Sequence, residues 1–420
     1  MKIKTGILSQ YRGLRKEIYV LFFGRVVTNL GSMIWPMLTL ILSQKMGMDA
    51  SKIAIYMTVF SIAMLPANLL GGRLADRYNK KNIIVICDLV SVVSYILCGI
   101  LPLGYVSVAL MAVASLFQNV EFPSYNALFA DLTTTKDRER AYSLDYLGMN
   151  LGMVLSPTIA GILFKDYLWL SFLISGFAIG CSTMLIFFLV RDITPEVNDG
   201  EESVYQKSRE KESLFQILRD NRLIVLYLVV TTLYYSGYGQ NYYLLPLEMG
   251  RVHGEDGAVI YGTVSSLNCI VVVLFTPLIT KLFPRLTELK KLFTGQLLVT
   301  AGFLVFLLLL GHIPVYYAAM VLFTWGEIFA TIADGPYISN RMPASHRGRI
   351  NGFASVLGTL LSGACDLSVG QLYDKVNSVA AWGFVFGLLG ISLVLTLVLL
   401  SRDKRVYPKL YAAPSTDISE

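Results

Sequence analysis

Twelve long apolar stretches run through this chain, at 18–43, 52–72, 82–102, 105–131, 140–164, 167–190, 223–248, 258–280, 291–311, 314–340, 350–373 and 378–401. A helix needs roughly 20 mostly apolar residues to cross the hydrocarbon of a bilayer. Only helices and closed barrels satisfy their backbone groups there. These stretches are far longer than the alternating strands of roughly 10 residues that build a barrel. Composition points the same way: 55% of the residues are hydrophobic and 15% charged, where a soluble domain carries about 25% charged residues. The expectation is an all-α membrane protein with twelve transmembrane helices. The first stretch follows a basic segment and contains Arg25; it is too long for a removable signal and reads as a retained span.

Basic residues test the spans. With the amino terminus placed in the cytoplasm, segments 1–17, 73–81, 132–140, 191–222, 281–291, 341–349 and 402–420 hold 29 of the 35 Lys and Arg residues. The opposite side holds Lys45, Lys52, Lys165, Arg251 and Lys375, and Arg25 lies inside a span. Cytoplasmic loops carry an excess of Lys and Arg, so one asymmetry supports both the spans and a multi-pass placement in the plasma membrane with both termini cytoplasmic. It also explains the net charge of +6 without a nucleic-acid partner.

One long polar connection, 191–222, follows the sixth span. The expected organisation is a six-helix bundle over 1–190, a cytoplasmic linker over 191–222, a second bundle over 223–401 and a tail over 402–420. A weak internal repeat supports the division. A shift of 209 residues lays Arg138 on Arg347, Arg140 on Arg349, Gly161 on Gly370 and Leu163 on Leu372, the first two entering and the last two ending span five and span eleven. Repeated six-helix halves build one large class of membrane transporters.

The loop after span two reads GGRLADRYNKK, residues 71–81. The string Gly72-x-Leu74-Ala75-Asp76-Arg77-x-x-Lys80-Lys81 resembles the signature loop of the major facilitator superfamily. Asn79 stands where that family usually has Gly, and Asn tolerates the positive φ such a turn takes. The resemblance implies a conformational latch: Gly72 lets span two approach span eleven, and Asp76 pairs with Arg77, Arg138 or Arg140 to hold one face closed. In span five, Ser143 is followed by Gly152-x-x-x-Ser156-Pro157-x-x-Ala160-Gly161. This is similar to the antiporter pattern of the same superfamily, above all in drug/proton exporters. Small residues at that spacing make a flat packing face, and Pro157 bends the helix.

Ionisable residues inside spans are functional candidates. They are Arg25, Asp88, Glu121, Asp145, Glu327, Asp334 and Asp366, while His253, His312 and His346 fall in loops or at helix ends. A proton relay here would use carboxylates. Glu327 lies at the middle of span ten, and Asp334 follows seven residues later on the same face. Asp145 and Glu121 complete the proposed proton-coupling set; Asp88 and Asp366 lie nearer helix ends and read as structural. Arg25 and Asn29 start a polar stripe in span one, with Ser32 and Pro36 at helical spacing. Tyr234 and Tyr238 in span seven offer aromatic faces that suit a lipophilic cation. The segments LDYLGMNL and WGEI resemble those of Gram-positive multidrug/proton exporters, which implies proton and drug binding at Asp145 and Glu327. That group also uses an acid in span seven, where this chain has Gln240 and Asn241.

The five cysteines all fall in spans and read as small apolar residues, not as a disulfide or metal set. No Gly-Lys phosphate loop is present, which argues against an ATP-driven step. The sequence therefore points to a monomeric, non-enzymatic exporter without cofactor or metal. It would exchange protons for hydrophobic, cationic small molecules across a lipid bilayer. Two alternatives stay open: the same fold with another cargo (peptide, sugar or lysolipid), including symport, and a membrane sensor that carries no flux.

Overall fold

Ten of the twelve apolar stretches fold as single uninterrupted helices. The computed structural model describes residues 11–133, 138–190, 214–283, 286–309, 311–341 and 347–411. In chain order the helices are α1 (Lys16–Leu30), α2 (Ile34–Leu40), α3 (Ala50–Arg77), α4 (Lys80–Ile100), α5 (Tyr105–Asp131), α6 (Arg138–Phe164), α7 (Leu168–Leu189) and α8 (Leu214–Asp220). They continue with α9 (Arg222–Tyr238), α10 (Leu244–His253), α11 (Asp256–Leu282), α12 (Glu288–Leu308), α13 (Ile313–Arg341), α14 (Arg347–Lys375) and α15 (Ser378–Val406). No strand occurs among the described residues. Eleven helical segments there are long and apolar enough to cross a membrane; the twelfth expected span, the seventh, is divided between α9 and α10.

Spans one and seven depart from the expected continuous helix in the same way. The first stops at Leu30, passes Gly31, and resumes as α2; the seventh stops at Tyr238 and turns through Gly239–Asn241 before α10. In each case the second segment carries proline as its third residue, Pro36 in α2 and Pro246 in α10. Proline has no N–H to offer, so a first turn accepts it without losing a hydrogen bond. The 209-residue shift carries Leu30 onto Gly239, so the two breaks hold equivalent places in the repeat. Interrupted segments at matching places in two halves point to where a transporter handles its cargo.

Contacts gather the chain into two units: Met1–Asp199 with Asn241–Leu274 and Gly311–Ile313, and Gly200–Gln240 with Phe275–Leu310 and Pro314–Glu420. In the first unit α1 packs on α6 and α7, α3 on α5, and α4 on α5 and α7. Glycines set the closest approaches. A Cβ at Gly71 would sit 2.2 Å from the Val120 carbonyl oxygen, so α3 and α5 meet backbone to backbone there. Residues 241–274, which the sequence assigns to the later half, make their contacts in this unit. Thr39 Oγ1 donates to the Tyr242 carbonyl at 2.8 Å, Tyr243 Oη to the Ala50 carbonyl at 2.6 Å, and Gln44 Nε2 to the Gly254 carbonyl at 2.9 Å.

In the second unit α9 packs on α14 and α15, and α12 on α15. Gly295 and Gly326 bring α12 against α13, each with a would-be Cβ 2.6 Å from the other's carbonyl oxygen. Gln296 Nε2 donates to Ser392 Oγ at 3.1 Å and its Oε1 accepts from Thr396 at 2.8 Å, while Ser392 Oγ donates to the Val230 carbonyl at 2.9 Å. These bonds tie α9, α12 and α15 with neutral groups whose hydrogen bonds are all made within the protein, as hydrocarbon requires.

The turn after α3 differs from expectation. Asn79 has φ −62° and caps α4, its side chain accepting from the Asn82 N–H at 3.1 Å. No residue other than glycine has positive φ among the described residues. An Asn at an N-cap satisfies an orphan N–H of the next helix, which is why it replaces Gly here without strain. The close approach made beside this turn is that of Gly71 to α5, while a Cβ at Gly72 would meet nothing within 4 Å. Gly71→Ala is expected to lower stability by roughly 1–3 kcal/mol through overpacking, and Gly72→Ala to leave it unchanged or raise it by up to about 1 kcal/mol. Melting of the detergent-purified variants checks the pair.

Candidate functional site

In the first unit the intramembrane charges converge on Arg25. Its Nε lies 3.4 Å from Asp145 Oδ1, and its guanidinium sits 4.1 Å from the centre of the Tyr125 ring. Tyr125 Oη donates to the same Asp145 oxygen at 3.0 Å. Glu121, one turn before Tyr125 on α5, acts electrostatically on Arg25 and on Asp88. Asp88 is buried on α4 and accepts from Thr183 Oγ1 at 2.6 Å. Asn29 turns back on its own helix, donating from Nδ2 to the Arg25 carbonyl at 2.8 Å. Arg25 thus faces two carboxyls, Asp145 and Glu121, and Asp88 interacts with the second of them. Sequence reasoning named Arg25, Glu121 and Asp145; it missed Tyr125, whose place four residues after Glu121 is its only signal.

The small-residue face of α6 lies against two elements. A Cβ at Gly152 would stand 2.4 Å from the Val26 carbonyl oxygen of α1. Beyond it, Pro157 and Gly161 face α11: a Cβ at Gly262 would lie 2.2 Å from the Pro157 carbonyl oxygen, and one at Gly161 2.6 Å from that of Ala258. Ser266 Oγ accepts from the Thr158 N–H at 3.2 Å and lies 2.7 Å from Thr158 Oγ1. At the end of this face Lys165 and Glu255 pair at 3.1 Å, both largely exposed. The hydrogen bond to Glu255 holds the Lys165 ammonium above its usual range.

Around the loop after α3, Arg77 is exposed. The side chains of Asp76, Arg138 and Arg140 lie outside the described residues. Lys80 pairs with Asp131 of α5 at 2.9 Å, an ion pair the sequence reading did not anticipate.

In the second unit α9 and α13 run antiparallel with their functional residues in register. Tyr227 Oη donates to Asp334 Oδ1 at 2.6 Å. Seven residues along each helix, Tyr234 stands next to Glu327, which acts electrostatically on it. Four further, Tyr238 stacks on Phe323 with ring centres 5.2 Å apart. The residue numbers in the three pairs have one common sum, as antiparallel rungs must. The Tyr234 ring is wholly buried, and its hydroxyl has no hydrogen-bond partner among the described residues. Its neighbour Tyr235 presents the more exposed face, at 36%.

Two units of transmembrane helices, broken spans at equivalent places and acids inside the helices describe a membrane transporter, and the comparisons with known proteins agree. The sequence profile of the Major Facilitator Superfamily matches residues 21–365. The chain belongs to the major facilitator superfamily. Its relatives include a Na(+), Li(+), K(+)/H(+) antiporter of Planococcus maritimus, 23% identical over 87% of this chain and 90% of that protein. They also include the multidrug resistance protein MdtH of Yersinia pestis (strain Pestoides F), 25% identical over 93% of this chain and 95% of that one. Among solved structures, a peptide transporter POT in complex with sulfate superposes with a TM-score of 0.76 at 17% identity, covering 96% of both chains. At that identity it speaks for the fold alone.

This superfamily member carries one further cluster that sequence reasoning missed. Asp403, wholly buried near the end of α15, accepts from Arg341 Nε at 3.1 Å and Nη2 at 2.7 Å, a two-bond fork. It also accepts from Tyr337 Oη at 2.9 Å and Tyr411 Oη at 2.6 Å. The Arg341 guanidinium lies 3.9 Å from the Tyr337 ring centre, and its Nη2 is 3.6 Å from Glu288 of α12. Burial, then the bond to Asp403, pushes the Tyr411 phenol well above its usual range. In the sequence Arg341 and Asp403 look like two more members of the basic cytoplasmic rim, and nothing in their spacing pairs them. Removing one member of a buried pair strands the other, which costs about 3–5 kcal/mol. Asp403→Ala is therefore expected to be the most destabilising change in the cluster and Tyr411→Phe to cost only about 1 kcal/mol, both read as loss of monodisperse, folded protein on heating.

Proposed function

We propose that the chain is a secondary active exporter of the plasma membrane that exchanges protons for hydrophobic, cationic small molecules by alternating access. The observation that carries this is a charge imbalance. The span interiors hold Asp88, Glu121, Asp145, Glu327, Asp334 and Asp366 against the single cation Arg25. Ionised carboxyls without partners are too costly in hydrocarbon to persist. Each surplus acid is neutralised by a proton or by an arriving cation, and the competition between the two is what couples them.

The residues divide the work as follows. Asp145 is balanced by Arg25 and Tyr125, so protonating it frees Arg25 to turn toward Glu121. Glu327 takes a proton in one state and a cation in the other. Tyr234 and Tyr238 give the cargo aromatic faces. Asp334 stands closer to the cytoplasmic end, where the Tyr227 hydroxyl supports it. The contacts of Pro157 and Gly161 with α11 are small-residue contacts that open and reclose with each cycle, and the loop at Gly72, Asp76 and Arg77, with Arg138 and Arg140, latches the alternate state. The two halves, 1–190 and 223–401, are the moving bodies; the working form is a monomer with cytoplasmic termini. The relatives named for cation/proton antiport and multidrug resistance support exchange over symport.

Efflux from proteoliposomes under an imposed proton gradient, with a panel of fluorescent lipophilic cations, tests the reading. The wild type is expected to move at least one dye only when the gradient is present. Glu327→Gln is expected to slow that flux by roughly tenfold or more, equivalent to about 1.4 kcal/mol, while downhill exchange persists. A wild type that moves none of the dyes leaves a transporter of some other cargo.

A further inference from the structure

Asp366 reads from its position as a structural acid near a helix end, yet its surroundings are those of a titrating group. It sits within the membrane-spanning part of α14, nine residues before the helix ends at Lys375. Gln240 Nε2 donates to its Oδ1 at 2.7 Å. No Lys or Arg lies within 4 Å of it among the described residues. Gln240 is wholly buried, and its own Oε1 has no hydrogen-bond donor among the described residues. Two defects therefore stand side by side: a carboxyl without a counter-charge and an amide oxygen without a donor. A single proton cures both. An ionised carboxylate can only accept, but a protonated one carries an O–H. A planar amide that donates from Nε2 to one carboxyl oxygen holds Oε1 beside that nitrogen, where the other carboxyl oxygen can reach it with its proton.

We propose that Asp366 is carried as the neutral acid, closed with Gln240 into a two-bond acid–amide ring, and that it is a second proton-exchanging group of the second unit beside Glu327. The neighbours leave the proton as the neutralising ligand. α14 itself adds the Cys365 thiol, 3.6 Å from Gln240 Nε2. On α9, Tyr227 and Tyr235 act with Asp334, and Tyr234 and Tyr235 with Glu327; Ser236 donates to its own helix at 2.8 Å. On α15 the charged residues Arg402, Asp403, Lys404 and Arg405 all lie in the last turns. Among the described residues of the second unit no cation is at hand to replace the proton. The place also suits exchange. Gln240 belongs to the turn that interrupts span seven, so a shift of that turn breaks both bonds of the ring at once and exposes the carboxyl.

Infrared difference spectroscopy of the reconstituted protein tests this without any transport assay. Wild type minus Asp366→Asn at neutral pH is expected to show the loss of one carboxylic-acid C=O band, which shifts in D2O and gives way to carboxylate bands at alkaline pH. Gln240→Leu, which keeps Asp366, is expected to retain the acid band at a higher frequency. A difference spectrum with carboxylate bands at neutral pH, or a Gln240→Leu band unmoved from wild type, overturns the ring. The exchange step rests on the antiport reading and has its own measure: Asp366→Asn should carry one proton fewer per cation exported, and an unchanged count overturns it. Failure of the wild type to export any dye would count against the antiport reading, while the infrared result would still decide the state of Asp366.

Discussion

Charge held in hydrocarbon constrains this molecule more than any other interaction. Each carboxyl inside a span needs a counter-charge, hydrogen bonds that favour one state, or a proton. The first two are seen in the structure, and the third is the one proposed for Asp366. Asp145 has Arg25 and the Tyr125 hydroxyl. Asp88 and Asp334 each accept from a single hydroxyl, of Thr183 and Tyr227. Asp366 has an amide. Full neutralisation by fixed partners occurs at Asp403, which receives a forked guanidinium and two phenols. Among the described residues Asp88, Asp334 and Asp366 each accept from one side chain, whereas Asp403, near the end of α15, accepts from three. A group that must gain and lose a proton is best left incompletely satisfied. A group that must never move is best saturated.

The twelve spans, the all-helical class and the superfamily were legible in the sequence, because hydropathy and the loop after α3 are local signals along one chain. Glu327 and Asp334 could be placed on one face of α13 from their seven-residue spacing alone. What faced them could not. The rungs from Tyr227, Tyr234 and Tyr238 to Asp334, Glu327 and Phe323 depend on the antiparallel register of α9 and α13, which no periodicity within either helix encodes. The breaks at Gly31 and Gly239 were hidden for a related reason. An apolar run reads as one helix whether or not Gly and Pro divide it, and the equivalence of the two breaks appears only once both are seen. Asn79 shows the limit of reading a motif by substitution. Its family place suggested a positive φ, but the next helix needed a cap more than the turn needed a bend.

The strengths of the contacts sort the parts that stay together from those that separate. In the second unit, the fork between Arg341 and Asp403 and the bonds of Gln296 and Ser392 join α9, α12, α13 and α15 through buried polar groups. Parting any of these would strand buried charges or dipoles without partners. The face of α6 against α11 is built differently. Gly161, Gly262 and the Pro157 carbonyl meet through backbone and small side chains, and the polar contacts there are a neutral Thr158–Ser266 pair and an exposed Lys165–Glu255 pair. Water can take over the exposed pair at little cost, since such pairs contribute about 0–1 kcal/mol. Thr158 can fall back on its own helix, as Ser and Thr hydroxyls commonly do. The close fit of backbones needs no side chain to repack when the helices part. Weakness at this face and saturation at the base of the second unit are therefore two sides of one requirement. In the alternating-access cycle proposed above, helices part where glycine, proline and hydroxyls meet, and the strongest polar bonds stay closed.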